Sequence, residues 1–173
     1  MNRNRITSFF RSTWLWKVFS RSDYKDVPLR RRFFNWIIHR CVYGKKLPFS
    51  YHFTSLITRH ENFKFGRGVE SYLANAGGCY IQAINGVEIG DDTIIAPGIR
   101  IISANHNLND YNNHDKAQPI RIGNRCWLGT NCIILPGVEL ADNVIVAAGS
   151  VVTKSFSSNC VIAGTPAKVI KKI

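Results

Sequence analysis

Between Ile120 and Phe156 the chain repeats itself every six residues. Counting from Ile122, each sixth position is a branched aliphatic: Leu128, Ile134, Leu140, Val146 and Val152. Counting from Ile120, each sixth position is small or apolar: Cys126, Cys132, Val138, Val144 and Ser150. Turn-forming pairs recur in the same phase, at Asn124-Arg125, Thr130-Asn131, Pro136-Gly137, Asp142-Asn143 and Ala148-Gly149. A helix repeats every 3.6 residues and a strand every two, so neither alone produces this pattern. Short strands separated by corners do, if they wind into stacked coils whose sides are six-residue units. The expected fold is mainly β: a parallel β-helix of hexapeptide repeats whose aliphatic columns point inward.

The same step is fainter upstream. Phe63, Val69, Ile81, Val87, Thr93 and Ile99 share one phase, broken at Asn75, while Ala83, Ile89, Ile95 and Ile101 share the other. Corners are expected at Asp91-Asp92 and Pro97-Gly98, and Ala76-Gly77-Gly78 marks a looser early coil. The β-helix is placed at residues 61–156, roughly five coils if three units close one coil. Its phase breaks once. Ile101 and Ile122 are 21 residues apart, which is not a multiple of six. The surplus of three would turn inward side chains off the core, so it must leave as a loop, over residues 103–119. That loop is polar and Asn-rich and carries His106 and His114. A loop held by a rigid scaffold is a favoured place for chemistry.

Charge separates the first third from the rest. Residues 1–60 hold 13 Lys/Arg and 2 Asp/Glu, a balance of +11, whereas residues 61–173 hold 10 and 9, a balance of +1. Residues 1–60 read as a basic, aromatic-rich helical segment. Ile6, Phe9, Phe10, Thr13, Trp14 and Lys17 fall at helical spacing. A second helix opens near Asp26 and Pro28, carries Leu29, Phe33, Trp36, Ile37 and Cys41 on one face, and ends at Gly44. Such helices suit either a cap on the first coil or an anionic membrane surface. No nucleic-acid motif is visible. The five cysteines are odd in number and form no C-x-x-C pair, and Cys126 and Cys132 fall on an inward column. This favours a reducing compartment over a disulfide scaffold. With no secretory signal or spanning stretch, the expected location is cytoplasmic, extended to a peripheral place on the inner membrane face.

Several segments carry a resemblance. They are Ile89-Gly90-Asp91, Ile95-Ala96-Pro97, the Ser103-x-x-His106 of the loop, Pro119-Ile120-x-Ile122-Gly123-Asn124 and Trp127-Leu128-Gly129. Pro136-Gly137-Val138, the run Ala148 to Lys154 and the run Ala163 to Lys168 complete the set. From Val87 to Ile173 the chain resembles the hexapeptide-repeat acetyltransferases, left-handed parallel β-helix enzymes that use acetyl-CoA. The most similar subgroup is the galactoside/maltose, xenobiotic and cell-surface-polysaccharide O-acetyltransferases. The left-handed coil sense comes from this resemblance, since general rules would expect right-handed crossovers.

The resemblance implies a mechanism that residue chemistry supports. An acceptor hydroxyl must lose a proton as it attacks a thioester, and an imidazole with a pKa near ~6.5 suits that step. His106 stands at the family's catalytic position and is assigned as general base, with direct transfer in a ternary complex. Thr130 matches the position whose backbone N–H faces the donor carbonyl. Ala148, Thr153 and Lys154 match the pantetheine and phosphate groove. Lys168 and Lys171, in a C-terminal tail over residues 157–173, match positions that meet the nucleotide end of the coenzyme. Asn85, Asn105, Asp110 and Trp127 are substrate-side candidates; Asn105 and Asp110 serve equally well as turn-shaping residues, and Trp127 as a cover for a coil edge. The family's trimers place the donor groove between solenoids, so a homotrimer is expected.

The resemblance does not carry the acceptor. The basic lead favours a sugar hydroxyl in a cell-surface polysaccharide or its lipid-linked precursor; the alternative is N-acetylation of an amino sugar or xenobiotic. A zinc enzyme on this scaffold would need a third histidine beyond His106 and His114, such as His60, and no metal site is expected. A non-catalytic scaffold is disfavoured by His106 and the Thr/Lys groove together.

Overall fold

The computed structural model describes residues 27–42 and 49–173. The first expected helix, the Asp26 start and the Gly44 stop lie outside the described residues. Helix α1 (Leu29–Val42) is followed by β1 (Leu56–Thr58), a 3-10 turn at His60–Asn62, β2 (Phe63–Phe65) and α2 (Val69–Asn75). Then come β3 (Tyr80–Gln82), β4 (Val87–Ile89), β5 (Ile94–Ile95), β6 (Arg100–Ile102), β7 (His106–Asn107) and β8 (Asp110–His114). The chain continues through β9 (Ile120–Ile122), β10 (Trp127–Leu128), β11 (Ile133–Ile134), β12 (Glu139–Leu140), β13 (Val144–Val146) and β14 (Val151–Val152). It ends with β15 (Cys160–Gly164) and β16 (Ala167–Lys172).

These strands form a three-sided parallel β-helix. Side one is the sheet β1-β3-β6-β11-β14, side two is β2-β4-β9-β12, and side three is β5-β10-β13-β15. Strand β16 adds to side three by turning back antiparallel on β15. All twelve residues of the two six-step series between Ile120 and Val152 are at most 3 % exposed. Cys126 and Cys132 sit among them as small hydrophobes, and burial pushes the Cys132 thiol up to about 12. Corners fall where expected. Arg125, Asn131, Gly137, Asn143 and Gly149 all have φ between 51° and 72°, one every six residues, and Asp92 and Gly98 continue the series upstream. This left-handed region favours Gly and Asn.

The corner between sides two and three shows why Asp and Asn recur in phase. Asp91 Oδ1 accepts from the Arg67 backbone N–H at 2.8 Å, Asn124 Oδ1 from Asp91 N–H at 2.8 Å, and Asp142 Oδ1 from Asn124 N–H at 2.7 Å. Each side chain ties its own coil to the one before it. Backbones crowd there: a Cβ on Gly123 would sit 2.7 Å from the Asp142 nitrogen.

Register measures the phase break. Arg121 pairs with Glu139 and Ile133 with Val151, partners 18 residues apart, or three units. Val87 pairs with Ile120 and Arg100 with Ile133, partners 33 residues apart. Fifteen residues therefore leave the coil. The surplus of three in the sequence is what remains of fifteen after two whole units.

Two boundaries differ from expectation, and the looseness of the early coil finds its cause. Pairing starts at Leu56, which lies opposite Tyr80, rather than at 61. The early coil is looser because α2 replaces a strand on its third side, with Val69 and Leu73 buried and Asn75 as its last residue. The phase fails at Asn75 for that reason. At the far end β15 pairs parallel with β13, Val144 opposite Cys160, so the last coil runs to Gly164 and not to 156.

Helix α1 caps the first coil, but not with its apolar face. Asn35 and His39 are the buried positions. Asn35 Nδ2 donates to the Ala74 carbonyl at 3.2 Å, its Oδ1 accepts from Phe53 N–H at 3.2 Å, and His39 Nε2 lies 3.0 Å from the Tyr51 carbonyl. Backbone groups of the loop and of the α2 end need partners, and these polar side chains supply them. Among the described residues no helix is long and apolar enough to cross a membrane.

The outward faces differ sharply. Side two presents Lys64, Glu88, Arg121 and Glu139 in register, with Lys64–Glu88 and Arg121–Glu88 both at 3.4 Å. Side three presents Ile94, Trp127, Ile145 and Val161 in register. Trp127 remains 49 % exposed.

Candidate active site

The fifteen-residue excursion leaves the edge between sides one and two and folds as a hairpin of β7 and β8. Every residue of β8 is exposed, so no apolar core holds it. Polar contacts do. Asn107 Oδ1 caps the turn by accepting from the N–H groups of Asn109 and Asp110, at 2.9 and 3.2 Å. Asp110 accepts from Asn112 N–H at 3.0 Å and Asn113 Nδ2 at 2.6 Å, and these bonds hold its carboxyl below the usual range. Asn107 Nδ2 donates to Asp115 at 2.9 Å, across the stem.

The base of the hairpin is clamped from the preceding coil. Asn85 Nδ2 donates to the carbonyls of Ser103 and Asp115, both at 2.9 Å, and so joins the two legs. Ser103, fully buried, accepts from Asn85 N–H through Oγ at 3.0 Å, and Gln82 Oε1 accepts from Ala104 N–H at 3.0 Å. The serine of Ser103-x-x-His106 is thus a pin for the loop that bears the histidine.

His106 and His114 are register partners, with ring centroids 4.4 Å apart. His106 Nδ1 lies 2.7 Å from the Tyr111 carbonyl oxygen. A carbonyl only accepts, so Nδ1 carries the hydrogen, and a neutral ring keeps its lone pair on Nε2. Both imidazoles line an open cleft of about 500 Å³ on the outer surface of side one, together with Thr58, Arg59, Tyr80 and Gln82. Arg59 has φ 54°, a left-handed conformation uncommon for this residue type. Aromatic, amide and charged groups converge here beside a potential base.

The other sequence candidates fall in different places. Thr130 and Ala148 occupy corners between sides three and one, a coil apart, joined by Gly149 N–H donating to the Thr130 carbonyl at 2.9 Å. Thr153 and Lys154 follow β14 at the hairpin's own edge, two coils on, which is about 10 Å at one strand spacing per coil. Lys154 Nζ stands 5.7 Å from the Phe156 ring centroid. Lys168 and Lys171 are exposed on β16, opposite Ala163 and Val161. Trp127 faces outward on side three. One chain therefore puts His106 and Thr130 at opposite edges of side one.

Two substrate-side candidates have structural duties. Asn85 spends its amide hydrogens on the clamp, and Asp110 spends its carboxylate on the turn. The Asn105 carbonyl accepts from Asp115 N–H at 3.0 Å, within the stem. The imidazole is oriented by the Tyr111 carbonyl instead. Tyr80, Gln82 and the Tyr111 carbonyl carry no sequence signal, and His114 is marked only as a second histidine of the loop. Only the hairpin register brings His114 to His106, and backbone carbonyls are invisible in a sequence. Among the described residues, no group of three or more His, Cys, Asp or Glu is arranged to hold a metal ion.

Comparison with known proteins bears on the repeat and the fold. Residues 119–154 match the family described as hexapeptide repeat of succinyl-transferase. The galactoside O-acetyltransferase of Escherichia coli (strain K12) is 40 % identical over 90 residues, covering 50 % of this chain and 44 % of that protein. The protein of the same organism named for lipopolysaccharide biosynthesis O-acetyl transfer is 37 % identical over 125 residues, covering 62 % of this chain and 63 % of that one. This chain thus spans less than two thirds of either. A solved maltose O-acetyltransferase from Clostridium difficile 630 superposes with a TM-score of 0.51 at 25 % identity, covering 91 % of this chain and 95 % of that one. The chain carries hexapeptide repeats over residues 119–154 and shares its parallel β-helix fold with the solved maltose O-acetyltransferase.

Proposed function

We propose that the protein is an acetyl-CoA-dependent O-acetyltransferase acting on a sugar hydroxyl. The observation that carries this reading is the His106 ring, its Nδ1 tied to a carbonyl and its Nε2 left for a proton, beside an open polar cleft on a hexapeptide solenoid. The acceptor hydroxyl gives its proton to Nε2 as its oxygen attacks the thioester carbonyl. The carbon–sulfur bond then breaks, and the coenzyme sulfur leaves as the thiol, taking that proton back. The Thr130 backbone N–H is assigned to the carbonyl oxygen as it gains charge. Ala148, Thr153 and Lys154 are assigned to the pantetheine and phosphate path, and Lys168 and Lys171 to the nucleotide phosphates.

Since His106 and Thr130 lie at different edges of one prism, neighbouring solenoids are needed to bring the two sets together. The apolar ladder of Ile94, Trp127, Ile145 and Val161 suits such an interface, and the charged ladder of side two suits water. A homotrimer meets both requirements. The acceptor is assigned to a cell-surface polysaccharide or its lipid-linked precursor, a reading supported by the name of the lipopolysaccharide relative, and the protein to a peripheral place on the inner membrane face. The test incubates the protein with acetyl-CoA and a panel of glycans. The expected result is one coenzyme A thiol released for each acetyl group gained in glycan mass. Thiol release with no acetylated glycan, or none at all across the panel, contradicts the proposal.

A further inference from the structure

Helix α1 is amphipathic and seated inside out. Its buried anchors to the solenoid are polar, Asn35 and His39. The apolar face of Leu29 and Phe33 points away, at 66 % and 53 % exposure, while Phe34 packs edge-on against Phe53 with ring centroids 5.0 Å apart. The Phe33 and Trp36 rings lie 6.1 Å apart and extend the patch. A surface helix of a globular protein ordinarily turns such a stripe to the core. Arg30 and Arg40 are exposed on the same helix, and the segment LRRRFFNWIIHRCV contains no acidic residue.

We propose that this face of α1 docks on an anionic phospholipid bilayer. Leu29, Phe33 and Trp36 enter the boundary between headgroups and acyl chains, and the arginines meet lipid phosphates and carboxylates. Charge selects this occupant. The first 60 residues hold 13 basic groups against 2 acidic ones, whereas the remainder is nearly balanced at 10 against 9. A second copy of α1 would set like charge against like charge, and the side-two ladder already pairs Glu88 with its own basic neighbours. A polyanion such as nucleic acid would answer the arginines and leave the aromatics in water. An anionic bilayer answers both. Docking by α1 turns the first-coil end of the solenoid, with β1 and β3 of the cleft, toward the lipid. Only the benefit for a lipid-linked acceptor rests on the proposed transfer; the lipid contact does not.

The experiment uses the full chain and sedimentation with vesicles of phosphatidylcholine alone or with about one third phosphatidylserine. Binding to the anionic vesicles is expected to exceed neutral binding at least about tenfold. The Leu29→Ser/Phe33→Ser double variant and the Arg30→Glu/Arg40→Glu variant should each lose at least about tenfold of it, with oligomeric state and turnover of a soluble acceptor unchanged. An environment-sensitive fluorophore on exposed Cys41, in otherwise unaltered protein, should shift to the blue with anionic vesicles. This arm does not depend on the variants folding. Variants that bind as the parent does, equal binding to neutral vesicles, or an unshifted fluorophore each overturn the proposal. So does a preference for duplex DNA that L29S/F33S leaves intact. A lost lipid contact with retained soluble turnover sinks only this inference; the reverse sinks only the proposed transfer.

Discussion

The coils from Ile120 to Gly164 and the hairpin from His106 to His114 use the same residue types to different ends. In the coils, Asp and Asn side chains at corners bond the backbone of the preceding coil, while aliphatic columns are sealed within. In the hairpin, Asn107 and Asp110 bond their own turn, and every β8 side chain meets solvent. The coil is held by burial and the hairpin by polar contacts and a clamp at its base. Stability therefore resides in the one and the proposed chemistry in the other. Substitutions in the two regions should separate cleanly.

The largest effect on stability is expected in the coil. Leu128 is fully buried between successive coils, and Leu128→Ala should cost about 2–5 kcal/mol, read as a lowered denaturation midpoint. The comparison fails if a hairpin substitution costs as much. Asn85→Ala sharpens it, because the residue belongs to the scaffold and holds the hairpin. Losing its bonds to Ser103 and Asp115 should loosen the hairpin base and lower turnover roughly 10- to 100-fold, while the melting temperature barely moves. A large melting shift with unchanged turnover would assign Asn85 to the scaffold alone. The smallest effect concerns pH. The Asn124 backbone N–H and side-chain amide hold the Asp142 carboxyl below its ordinary 3.8. The bound carboxylate thus favours the folded state above that value, and the benefit fades as pH falls through the lower folded value. Asp142→Ala should steepen nothing at neutral pH and flatten the acid limb of the stability profile below about 4. An unchanged acid limb would remove the corner ladder from the account.

Much of this architecture can be read from residue identity. Leu128, Ile134 and their companions repeat because every coil presents the same inward positions, and Asn131 or Gly137 repeat because each corner needs a left-handed residue. The hidden parts are those without a period. Helix α2 supplies one side of the first coil with no six-residue spacing, so Leu56 could not be joined to Tyr80 in advance. The place of the excursion, over residues 103–119, was legible, and its hairpin was not. His106 was marked by its motif, but His114 reaches it through a polar hairpin register that no hydrophobic pattern announces. The apolar stripe of α1 was legible, and its orientation was not. Asn35 and His39 seat the helix on backbone groups near Ala74 and Tyr51, distant in sequence.

The proposed transfer needs a solenoid that keeps its fold while the hairpin imidazole moves a proton. The direct measurement is coenzyme A release from acetyl-CoA, with a glycan acceptor, by the parent protein and by His106→Ala. A fall of about 10²–10⁴-fold with an unchanged melting temperature is the predicted result. Equal turnover in the two proteins would contradict it.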